Sequence, residues 1–217
     1  MSKLALLTKV AVTFEYHWIQ SNQMKDSQHE WQIGLSSWII QDGNYGDFET
    51  GQVLGFALEF YSENFQPSAT KQKSFKKIDA AKYEIVGEVI FLTDAVWVLD
   101  FGISAFRESK PPKGINVGSF VTAEIYLGID PFFYFEYLYN SQGMPPLILT
   151  WKINAIGQQT APFIESREPS GQKLLIRDVK KLGYKTIAKT DAWNDDGGHA
   201  EYILTCEQIQ APPKHKT

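Results

Sequence analysis

Cysteine is nearly absent from this chain. Cys206 stands alone among 217 residues, which excludes an internal disulfide framework and fits a reducing compartment. No apolar run reaches about 18 residues, so no transmembrane helix and no membrane partner are expected. Histidine is sparse too: His17, His29, His199 and His215 form no H-E-x-x-H motif, and no C-x-x-C pair exists, so no metal centre is expected. A G-x-S-x-G elbow, a Walker loop and a G-x-G-x-x-G fingerprint are all missing, and with them any reason to expect a cofactor. The opening stretch MSKLALLTKVAVTFEYHW carries Lys9 inside its apolar part and no small-residue cleavage site after it. It therefore reads as a strand, not a signal peptide, and the expected location is the cytoplasm.

Positive charge is scarce in one long region. Between Tyr83 and Tyr139 the only basic residues are Arg107, Lys110 and Lys113, against eight acidic ones: Glu84, Glu88, Asp94, Asp100, Glu108, Glu124, Asp130 and Glu136. The local net charge is −5, more negative than the −4 of the whole chain. What fills this region is aromatic and β-branched: YEIVGEVIFL, VWVLDFG, FVTAEIYLG and FFYFEYLY. Elsewhere the basic residues bunch in polar stretches, Lys71 to Lys77, Lys180 to Lys185 and the tail, where charge is normally solvated. Hydrophobic content of 43% and charged content of 21% are those of a folded domain, not a disordered chain.

Period-two alternation dominates, and helical periodicity is weak. Strands are predicted for residues 9–19, 30–41, 52–61, 83–92, 96–101, 120–128, 132–139 and 148–156, with a strand or short helix at 174–180. Residues 184–193 and 200–208 read as a hairpin closed by Asn194-Asp195-Asp196-Gly197-Gly198. Residues 64–77, NFQPSATKQKSFKK, form the best linker or long loop, with a short helix predicted near 77–82. The expectation is an all-β fold, a mainly antiparallel barrel or sandwich of about ten strands. One domain spanning 1–217 is expected, with 64–77 as the place for a division into subdomains, and 209–217 as a frayed tail.

Three short motifs sit in the acidic region: Gly87-Glu88-Val89, Val98-Leu99-Asp100-Phe101-Gly102, and Gly118-Ser119-Phe120-Val121 leading to Leu127 and Asp130. Together they resemble the strand signatures of OB- or S1-type barrels. That resemblance implies an OB-like element around 83–156 and single-stranded nucleic acid as a ligand, bound on aromatic platforms within a basic groove. The charge here opposes such binding, because phosphate neutralisation needs Lys or Arg on the face where these strands carry Glu and Asp.

Two groups of residues are candidates for contact with a partner. The first is carried by the acidic strands: Glu88, Glu124, Glu136, Tyr137 and Tyr139. The second is the loop DAWNDDGGHAE, with Trp193, Asp195 and Asp196. The loop's oxygens suit Ca²⁺ or Mg²⁺ in kind, but their spacing matches no EF-hand, and Asn-Asp-Asp-Gly is what a tight turn demands. Paired carboxylates at Glu59 and Glu63, or at Glu124 and Glu136, would be needed in one cleft for acid–base chemistry. Three readings follow. The first is a non-enzymatic protein-binding module with an acidic aromatic surface for a basic partner, such as an inhibitor or immunity-type protein. The others are an OB-like nucleic-acid binder using Lys71–Lys77 and Arg107–Lys113, and a carboxylate enzyme with a raised-pKa Glu or Asp in a pocket.

Overall fold

A computed structural model describes residues 29–62, 64–167 and 173–209. The strand predicted at 9–19, and the tail beyond 209, lie outside that set. Fourteen strands occur among the described residues: β1 (Glu30–Ser36), β2 (Val53–Phe56), β3 (Leu58–Tyr61), β4 (Gln66–Pro67), β5 (Ser74–Asp79), β6 (Lys82–Leu92), β7 (Val96–Asp100), β8 (Ser104–Glu108), β9 (Phe120–Ile129), β10 (Leu149–Gln159), β11 (Phe163–Arg167), β12 (Lys173–Arg177), β13 (Tyr184–Ile187) and β14 (Glu201–Gln208). A five-residue helix, α1 (Ser37–Gln41), follows β1. The fold is all-β, and no helix among the described residues is long and apolar enough to cross a membrane.

Alternation builds the centre. Along β6 the side chains of Tyr83, Ile85, Val89 and Phe91 are buried while Lys82 and Glu84 are exposed, and β9 buries Val121, Ala123, Ile125 and Leu127 in the same rhythm. β6 pairs antiparallel with β9 over seven residues, from Lys82↔Tyr126 to Glu88↔Phe120. The ladder continues from β9 to β3, β8, β7 and back to β6, closing a five-stranded barrel. One step in that ring, β3 to β8, is a parallel bridge at Glu59↔Phe106. Beyond the ring the sheet runs on through β1, β14, β10 and β13, while β11 and β12 form a separate hairpin.

Inside, large rings interlock. Trp97 meets Phe60 and Phe65 edge-on, and Trp151 stacks on Phe56 at 5.6 Å while its indole nitrogen donates to the Phe56 carbonyl at 3.3 Å. A second apolar cluster lies apart from this core: Ala57, Phe91, Val96, Val98, Phe106, Tyr134 and Leu147, with Leu138 and Met144 packed against it.

Five local expectations are corrected. Residues 132–139 are not a strand: Tyr134–Leu138 form a wide helical turn, with the Tyr139 amide bonding the Tyr134 carbonyl at 2.8 Å. Pro131 removes a ladder donor, and a segment apolar at almost every position satisfies either period. The predicted strand at 30–41 ends at Ser36 and turns helical. Residues 184–208 do not form a hairpin, because β10 lies between β13 and β14 and pairs with both. Finally, β5 occupies part of the 64–77 stretch read as a linker or loop, and residues 79–82 make the tight β5–β6 connection where a short helix was predicted.

Candidate functional site

Residues 130–139 make an aromatic ledge whose shape follows from one carboxylate. β9 ends at Ile129, and Asp130 turns its side chain back on the next turn. Oδ1 accepts the Phe133 amide at 2.9 Å and Oδ2 the Tyr134 amide at 3.1 Å, filling two backbone donors the turn leaves orphaned. Tyr45 donates its hydroxyl to the Asp130 carbonyl at 3.0 Å, and its ring meets Phe132 edge-on. Phe132 itself sits at φ +88°, a conformation costing a bulky side chain roughly 1–3 kcal/mol, so the surrounding contacts must hold it.

Spacing of four then sorts the rings. Tyr134 and Leu138 turn inward onto the second cluster, and the Tyr134 hydroxyl donates to the Pro145 carbonyl at 3.0 Å while accepting the Leu147 amide at 3.2 Å. The remaining rings are partly or largely exposed and stand in two columns: Phe133 on Tyr137 at 5.9 Å, and Phe132, Phe135 and Tyr139 with spacings of 5.1 and 5.8 Å. Tyr137 is 55% exposed. Glu136 lies between the columns in sequence and is exposed as well.

Beneath the ledge is a set of carboxyls in poor solvent. Asp130 is 1% exposed and Glu59 6%. Burial pushes Asp130 up to about 7 against the pull of its two amide donors, with Glu59 and Glu108 adding repulsion. Glu59 is likewise raised, first by burial, despite accepting the Tyr61 hydroxyl. The Tyr137 hydroxyl is held above the usual tyrosine range by desolvation, then by Glu136, Glu108 and Asp130. No Lys or Arg occurs between Lys113 and Lys152. The neighbouring Arg107 donates to the Ser62 carbonyl.

The other candidates are distributed differently. Glu88 is not free: Lys73 bridges it at 3.1 Å and Asp100 at 2.7 Å. Glu124 stands opposite Glu84 and lines a concavity of about 740 Å³ with Lys82, Tyr61 and Tyr126. Trp193 is 67% exposed at the tip of the acidic loop. There Asp195 accepts the Asp191 amide at 3.0 Å and the Tyr202 hydroxyl at 2.9 Å, and Asp196 pairs with Arg177. Thus Glu136, Tyr137 and Tyr139 come together on the ledge, Trp193, Asp195 and Asp196 on the loop, and Glu88 and Glu124 on the sheet.

Sequence reasoning missed Asp130 and Glu59 as the paired buried acids under the ledge. Asp130-Pro131 at the end of a strand was the available signal, since Asp before a turn commonly caps it. No family model matches this chain, and neither does any curated protein or solved structure.

Proposed function

We propose that the protein is a non-enzymatic binding module that docks a basic protein segment on the ledge at 132–139. One observation carries the reading: five partly or largely exposed rings stand in two columns around Glu136, in a stretch, 114–151, that holds no Lys or Arg. Aromatic faces attract Lys and Arg side chains, and desolvated neighbours strengthen the attraction. Negative potential also speeds encounter with a cationic partner. An inhibitor or immunity-type protein, whose task is to cover a basic surface, is a role suited to such a ledge.

The nucleic-acid alternative draws on Lys71–Lys77 and Arg107–Lys113, but Lys73 is engaged by two carboxylates and Arg107 by a carbonyl. The enzyme alternative requires a raised carboxyl in a pocket, and Glu201, described below, has that character.

The test is fluorescence anisotropy with labelled Arg-rich and Lys-rich peptides and an acidic control. Two cation–π contacts at about 0.5–1 kcal/mol each imply that Tyr137→Ala/Tyr139→Ala weakens basic-peptide binding about tenfold, with unchanged thermal stability. Raising salt should weaken it further. Binding that ignores both the double substitution and salt would remove the proposal.

A further inference from the structure

A second concavity, on a different part of the chain, has its own chemistry. A cleft of about 1070 Å³ opens between α1, the β11–β12 hairpin and the loop leading into β14. Its apolar lining is unusually bare: Trp38 is 50% exposed, Ile176 43% and Phe163 39%. Side chains of that size are normally covered, so this wall has a large apolar area to offer.

The polar groups are unequal. Arg177 looks like an anion receptor, but most of its donors are taken. It donates to the Ala161 carbonyl at 2.9 Å and the His199 carbonyl at 2.6 Å, pairs with Asp196, and lies 4.2 Å from the Phe163 ring centre. Its charge is spent tying the hairpin to the loop. Gln41 likewise uses its amide nitrogen on the Ala192 and Gly198 carbonyls, at 2.7 and 2.9 Å, so only its oxygen remains to meet a ligand. Glu201 is the odd charge out. One oxygen accepts the Ser36 hydroxyl at 2.6 Å, and burial raises the carboxyl against the lowering effects of that bond and of Arg177. Once Arg177 and Asp196 cancel, the cleft carries one surplus negative charge and a surplus of acceptors.

We infer that this cleft binds a monocationic amphipathic molecule of the arylalkylammonium class, its ring against Trp38, Phe163 and Ile176 and its ammonium on Glu201. The ring satisfies the apolar wall, the three N–H donors of an ammonium match the acceptor excess, and the single positive charge matches the single surplus negative one. An anionic ligand would meet the Glu201 carboxylate, with the Arg177 charge already paired to Asp196.

The experiment uses the full chain and three probes of one size: 2-phenylethylammonium, neutral 2-phenylethanol and anionic 3-phenylpropionate. Calorimetry and the Trp38 indole resonance in ¹H–¹⁵N spectra report binding. The cation should bind about tenfold tighter than the alcohol, and the anion should not bind. Glu201→Gln keeps an acceptor for Ser36 and should erase the preference for the cation while leaving the spectrum otherwise folded. Trp38→Ala, at an exposed position, should weaken the cation and the alcohol together. No saturable response to the cation below about 10 mM, equal binding of cation and anion, or an undiminished cation preference in Glu201→Gln would each overturn the assignment. The ledge plays no part in this test, so either result leaves the docking proposal standing on its own evidence.

Discussion

An Asp130→Asn substitution should change stability with a sign that reverses between acid and neutral pH. Burial keeps the proton on Asp130 in the folded chain up to about pH 7, whereas the unfolded chain releases it near 3.8. Between those values the folded state binds more protons, so the free energy of unfolding falls as pH rises through the window. At 1.36 kcal/mol per pKa unit, the interval from 3.8 to about 7 amounts to about 4 kcal/mol. Asparagine cannot ionise and escapes that loss. It does lose one acceptor, because Oδ1 and Oδ2 serve two separate amides and the new NH₂ group opposes one of them, at a cost of about 1–3 kcal/mol. The variant should therefore be less stable than the parent at pH 4 by about that cost and more stable at pH 8 by about 1–3 kcal/mol. Glu59 titrates in both proteins, so the difference between the two curves reports Asp130 together with its coupling to Glu59. Urea melts followed by tryptophan fluorescence across pH 4–8 measure it. A difference that stays constant within about 1 kcal/mol would refute the claim that this carboxyl is ionised at a loss.

Two further outcomes follow from packing. A methyl group at Gly34 would lie 1.8 Å from the Tyr126 hydroxyl and 2.4 Å from the ring, so Gly34→Ala should destabilise by about 1–3 kcal/mol. Gly34→Ala/Tyr126→Ala should then cost less than the sum of its parts in thermal melts, and strict additivity would argue against the close approach. Cys206 is fully buried and its thiol is pushed well above the usual range, so a thiol-specific dye should label it only after urea unfolding; rapid labelling of the native protein would contradict this.

What the sequence reveals depends on whether a residue's neighbours are local. β6 and β9 were legible to within a residue or so because each alternates cleanly between a core face and a polar face. β5 was hidden for the opposite reason. It is an edge strand among the described residues, exposed along most of its length, and lysines are what protect such an edge. Residues 132–139 were misread because FFYFEYLY is apolar at seven of eight positions, so alternation had no contrast to act on. The pairing of β13 and β14 with β10, and not with each other, depends on a strand some thirty residues earlier that no local pattern announces. The site divides the same way. The rings and Glu136 were visible as types, but whether they faced the core was decided by the Asp130 cap. The engagement of Glu88 by Lys73 was decided by β5 lying alongside β6.

The place of β1 between β9 and β14 has a consequence for how the chain assembles during synthesis. Ser36 and Glu201, joined by a hydrogen bond, are 165 positions apart. Until β14 leaves the ribosome, β1 can lie against β9 but lacks its other neighbour among the described strands, and Trp31, Ile33 and Leu35 face an unfinished interior. Contacts this distant make for slow, late closure, with sticky strand edges exposed in the meantime. The first strand of the described fold is thus among the last to be locked.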